Sequence, residues 1–72
     1  MSISWNEVDA MATDADDWWS TRGVAEKMEC TGARDDMEAN RRFYALNVAD
    51  RWHLSKGHIE TVAGYNWVQK GE

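Results

Sequence analysis

Three groups of side chains in this sequence could carry chemistry: a thiol with two imidazoles, a run of carboxylates, and several arginines around an asparagine. Cys30, His53 and His58 are the types that a nucleophile–base pair or a metal site uses. His53 and His58 stand five apart, whereas paired ligands on one helix face stand four apart. A chain of 72 residues is also short for a substrate pocket of ordinary size. These residues therefore predict no enzyme activity, no metal and no cofactor. Asp14-Ala15-Asp16-Asp17 invites a calcium reading, but an EF-hand loop starting at Asp14 needs Gly at its sixth position and Glu at its twelfth. Those positions hold Trp19 and Ala25, so the run reads as a solvated acidic connector.

The third group is the more informative. Thr31, Arg34, Asn40, Arg41 and Arg42 cluster in sequence, and Arg34 and Arg41 lie seven apart, on one face of a helix. If that helix enters a major groove, its early residues meet base edges. Thr31 then contacts a phosphate, Arg34 a guanine or a phosphate, and Asn40 an adenine edge. Arg41 and Arg42 lie further along, against the backbone, while Lys56, His58 and Lys70 reach phosphates or the minor groove from a following element. Ordinary solvated ion-pair partners are the competing reading of the same bases. Glu38, three and four residues before Arg41 and Arg42, offers such pairs at ~0.2–0.5 kcal/mol each.

The elements that must position these groups follow from capping signals and apolar spacing. Ser4-Trp5-Asn6-Glu7 is an S-x-x-E capping box, and Trp5, Val8, Met11 or Ala12, and Ala15 follow at spacings of three and four. This predicts a first helix ending near Ala15, where Asp16-Asp17 would oppose the helix dipole. Trp18-Trp19 then supplies core bulk. Between Ser20 and Arg42 the chain reads as a short helix capped by Ser20 or Thr21, a turn at Glu29 to Gly32, and a longer helix capped by Thr31. That longer helix is expected from Ala33 to about Leu46 or Ala49, burying Ala33, Met37, Tyr44 and Val48, with Phe43 and Leu46 widening the stripe. Residues 50–56 fit either a further helical turn or a short strand. His58–Val62 and Tyr65–Val68, around Ala63-Gly64, predict a hairpin with Val62, Tyr65 and Trp67 on one face.

This order resembles a winged helix-turn-helix from about Trp5 to Lys70. The nearest likeness is to the very small pilus-operon-type transcriptional regulators. The residues that carry it are Val24-Ala25-Glu26, Thr31, Ala33-Arg34, and Tyr65-Asn66-Trp67-Val68-Gln69-Lys70-Gly71-Glu72. The resemblance implies a mainly α fold with a small β wing: three helices plus a two- or three-stranded hairpin, in one domain spanning 1–72. It also implies a small DNA-binding regulator that reads double-stranded DNA with helix 33–46 and braces the backbone with a 56–70 wing. Asp35 and Asp36, where such regulators often carry neutral residues, suit the dipole but repel phosphate. The alternative is a protein-interaction module on the same fold, a phage- or plasmid-type factor binding a partner through its acidic first helix.

Charge distribution bears on both readings. The net charge is −5, and all of it arises in residues 1–19, which hold five acids and no Lys or Arg; residues 20–72 balance eight acids against eight bases. A lone cysteine suits a reducing compartment. The N-terminus has no signal-peptide pattern, and no run approaches the ~18 apolar residues of a membrane span. A cytoplasmic protein with no membrane partner is expected, acting as a homodimer or through a partner protein.

Overall fold

Ser4 begins the first helix in the manner its sequence predicts. In the computed structural model, which describes residues 4–62, the Ser4 hydroxyl accepts the Glu7 N–H at 3.2 Å and the Glu7 carboxylate accepts the Ser4 N–H at 3.0 Å. Four helices follow: α1 (Trp5–Ser20), α2 (Val24–Thr31), α3 (Asp36–Ala45) and α4 (Val48–Ser55). α1 packs chiefly along α4, and α2 against α3.

α1 runs past Ala15 because Ala15 and Trp19, four apart, both face the core and are almost fully buried. Burying one large aromatic is worth about 1.5–3 kcal/mol. Two acids near a helix C-terminus cost about 0.3–1 kcal/mol each, so burial wins. Asp16 and Asp17 lie on the outer face. The ring of Trp19 stacks on Phe43 of α3 at 4.0 Å between centroids and 4° between planes. Its indole N–H donates to the Asn40 side-chain oxygen at 2.7 Å. Ala33, Ala39, Leu46, Leu54 and Val62 complete the core, with Trp18, Met28 and Ile59 against it.

The caps fall elsewhere than expected. α2 starts after Gly23, whose N–H donates to Glu26, and Thr31 is its last residue instead of the cap of the next helix. Gly32 then takes the left-handed conformation at φ 70°, where a side chain is disfavoured, and the Ala33 N–H closes on the Met28 carbonyl at 3.1 Å. α3 begins only at Asp36, capped by the Asp35 carboxylate on the Glu38 N–H at 2.8 Å.

The expected single helix from Ala33 to Leu46 or Ala49 is two helices. Leu46 turns extended at φ −70°, ψ 153°, and buries its side chain. Asn47 caps α4 by accepting the Asp50 N–H at 2.8 Å. The Arg51 guanidinium reaches back to the carbonyls of Leu46, at 2.5 Å, and Tyr44, at 3.4 Å, satisfying the open end of α3. Residues 50–55, left between helix and strand by the sequence, belong to α4.

The β wing is overturned. Among the described residues there are four helices and no strand, so the three-helix winged architecture does not hold. His58–Val62, the expected first strand, runs as turns and irregular chain; the second, 65–68, lies outside the described residues. The backbone donors of this segment are spent on helix ends. Gly57, at φ 78°, turns the chain after α4, and the N–H groups of His58 and Ile59 both donate to the His53 carbonyl. The Val62 N–H and the Thr61 hydroxyl both donate to the Cys30 carbonyl, each at 2.7 Å. Among the described residues no helix is long and apolar enough to cross a membrane.

Two substitutions test this architecture. Phe43→Ala should cost about 3–5 kcal/mol, enough to unfold much of so small a domain, read as a collapse of the urea midpoint. Asn47→Ala should cost about 0.5–2 kcal/mol through the α4 cap, with the m-value unchanged. A continuous α3–α4 helix would leave the second variant near wild type.

Candidate functional site

The side of α3 turned away from the core carries the most exposed large side chains of the central stretch. Met37, Arg41 and Tyr44 recur at four and three residues, one above the other, and Arg34 precedes them on the turn. Met37 is 78% exposed and Tyr44 51%. The Arg34 and Arg41 side chains are 90% and 71% exposed. The sequence reading had assigned Met37 and Tyr44 to the buried stripe. Of that stripe Ala33, Phe43 and Leu46 are buried as expected, and Ala39 joins them.

Beneath this face sits Glu38, whose carboxylate is buried and shared by three guanidiniums. Arg34 Nε lies 3.4 Å from Oε1, while Arg41 and Arg42 reach Oε2 at 3.5 and 3.4 Å. The Arg34 backbone N–H also donates to Oε1 at 2.7 Å. That backbone hydrogen bond, then the Arg34 side chain, hold the Glu38 carboxyl below the usual glutamate range, with Arg42 adding to them against the opposing effect of desolvation. The ion pairs read from the sequence between Glu38 and Arg41 or Arg42 are therefore made.

The predicted contact residues separate into two sets. Arg34 and Arg41 stand outward together. Arg42 is tucked in, donating to the Thr31 carbonyl at 3.0 Å as well as meeting Glu38. Thr31 is fully buried, and its hydroxyl donates to the Lys27 carbonyl at 2.8 Å, which turns it away from any phosphate. Asn40 accepts from Trp19 and its amide faces Asp36 at 3.4 Å, so both ends serve the fold. Lys56 and His58 lie beyond α4, apart from the α3 face. The Lys56 ammonium meets Asp14 at 2.7 Å and lowers the Asp14 carboxyl pKa. His58 faces His53, with the two Nδ1 atoms 3.1 Å apart beside the Trp52 ring.

Cys30 is half-buried beside Glu29, Glu60 and Thr61 in an open cleft. Burial, with Glu29 and Glu26 nearby, pushes its thiol pKa up, opposite to an activated nucleophile. Among the described residues no group of three or more His, Cys, Asp or Glu is placed to share a metal ion. No protein-family model matches the chain, and no curated protein or solved structure matches it either.

Glu38 gives a pH test with a definite sign. Its folded pKa lies below its unfolded value, so its contribution to stability is complete above the unfolded value and is lost as pH falls through the folded one. The stability gap between wild type and Glu38→Gln should stay constant above about pH 5 and narrow below about pH 4. Urea midpoints taken across that range measure it; a gap independent of pH would remove the carboxylate's role.

Proposed function

We propose that this chain is a small helical DNA-binding domain that uses α2, the Gly32 turn and α3 as a helix-turn-helix, with α3 as the reading helix. The observation that carries the proposal is the outward face of α3. A four-residue turn containing a left-handed glycine and the exposed Arg34 projects a helix that exposes Met37, Arg41 and Tyr44. Short helix, Gly-containing turn and projecting second helix form the motif that places a helix in the major groove. No wing enters this reading. The Asp35 carboxylate is occupied as a helix cap, which ties it down at the approach end.

The electrostatic contribution is small. Residues 34–45 hold three bases and three acids, so attraction to phosphate comes from the two outward guanidiniums and not from a field over the whole domain. Specific affinity then calls for two copies on a two-fold site or a partner protein, and a DNA-bound role belongs in the cytoplasm. A second reading has its own support in α1. Trp5 is 82% exposed and shares a helix face with Asp9 and Asp16, a surface suited to a cationic protein partner.

A fluorescence titration against mixed-sequence duplex DNA at ~50 mM salt separates the two. Binding is expected, weakening with a log–log salt slope of about −2, and Arg34→Ala and Arg41→Ala should each flatten the slope by about one. No binding at that salt overturns the DNA reading. The α1 reading then predicts that Asp16→Lys with Asp17→Lys abolishes capture of the protein partner, with the far-UV CD spectrum unchanged.

A further inference from the structure

We infer that His53 and His58 form a two-imidazole clip for a divalent transition metal of the Ni²⁺, Cu²⁺ or Zn²⁺ class, built by the turn that ends α4. The site lies apart from the α3 face and does not depend on the DNA reading. Two histidines five apart do not share a helix face, but here the helix stops between them. The His58 N–H donates to the His53 carbonyl at 2.9 Å and the Gly57 N–H to the Leu54 carbonyl at 3.2 Å, with Gly57 at φ 78°. This nested pair closing on a left-handed glycine is the Schellman motif, which sets the side chain after the glycine against the one five residues earlier. That contact is frequently hydrophobic, whereas here both members are imidazoles. Their Nδ1 atoms come to 3.1 Å of each other.

That separation suits a shared cation. At an imidazole-to-metal distance of ~2.0–2.1 Å, neighbouring donors stand ~2.9 Å apart in a square-planar set and ~3.3 Å apart in a tetrahedral one. In the metal-free pair one ring donates its Nδ1–H and the other accepts it. A bound cation takes the place of that hydrogen, and the donating ring moves its proton to Nε2, so both rings stay neutral. Access is open, since His58 is exposed and His53 partly so. The Lys56 ammonium, between them in sequence, is held by Asp14 of α1 at 2.7 Å and so opposes an incoming cation little. The Trp52 ring lies edge-to-face with both imidazoles, 5.4 and 5.9 Å between centroids, and backs the clip. Among the described residues no third His, Cys, Asp or Glu is placed to join them, so the other coordination positions go to water. Affinity at such an open nitrogen site should run Cu²⁺ above Ni²⁺ and Zn²⁺.

Ni²⁺ is the probe, because it leaves the Cys30 thiol unoxidised. Calorimetric titration of the full chain should show one Ni²⁺ bound per chain. The sequence holds only two histidines, so substoichiometric Ni²⁺ should broaden the proton resonances of both imidazoles together. His53→Ala and His58→Ala should each weaken binding by roughly 10²-fold, since each turns a chelate into a single donor. Cys30→Ser should leave the affinity at the wild-type value. The resonance measurement uses the unaltered chain and decides the matter even where a variant misfolds. Broadening of one imidazole without the other, or an affinity that survives either histidine substitution, overturns the clip. Absence of Ni²⁺ binding up to ~1 mM does so as well.

Discussion

The stack of Trp19 on Phe43 is the contact on which the rest of the molecule depends. α1 pairs with α4 and α2 with α3, and these two pairs need a common centre. Trp19 comes from the end of α1 and Phe43 from the end of α3, so their rings join one pair to the other at 4.0 Å. An aromatic pair contributes about 0.5–1.5 kcal/mol beyond the area it buries. In a domain that buries only about 60% of its unfolded surface, that is a substantial share of the whole. The Asn40 hydrogen bond fixes the indole within its plane, so the stack has one orientation. Asn40 is therefore a structural residue on a helix whose opposite side is exposed. The same helix supplies Ala39 and Phe43 to the core and Met37, Arg41 and Tyr44 to the proposed reading face.

Glu38 separates those two roles. It sits between the core side of α3 and its outward side, taking a backbone N–H at the helix start and three guanidiniums around it. Arg42, turned inward, holds the end of α2 through the Thr31 carbonyl. Arg34 and Arg41, turned outward, remain exposed. One carboxylate thus neutralises part of the arginine charge, fixes where the remainder points, and locks α3 to α2. The acidic balance of the chain and the presence of two presented cations are compatible for this reason.

Legibility differed by element, and the differences have local causes. The α1 start was readable because Ser4 and Glu7 satisfy each other's backbone regardless of the rest of the chain. Its end was not, because the decision lay with Trp19 burial against a distant Phe43. The α3–α4 break carried a readable signal in Asn47 and Asp50, an N-cap pair masked by the apolar run on either side. Likewise Asp35 and Glu38 marked the true start of α3, but Thr31 offered a competing cap. The wing failed because alternation in His58–Val62 says nothing about where its N–H groups go, and two helix-end carbonyls, His53 and Cys30, take them. Of the outward face, Arg34 and Arg41 were legible from their seven-residue spacing, and both side chains are exposed. Met37 and Tyr44 were misplaced in the core, since hydrophobic residues at helical spacing look the same whether they face a core or solvent.

The pairing of α1 with α4 has a consequence for how the protein comes into being. α2 and α3 are neighbours in sequence and can dock as soon as both exist. α1 leaves the ribosome first, yet the helix it packs along begins more than two dozen residues after it ends. Trp18 and Trp19 therefore wait for Phe43 and Asn40 of α3, and α1 gains its helical partner only when α4 arrives. The dense carboxylates around them, Asp14, Asp16 and Asp17, surround that waiting hydrophobic pair with like charge, which keeps nascent chains apart during the interval. Asp14 then keeps a place in the finished fold, paired with Lys56 at the end of α4 at 2.7 Å.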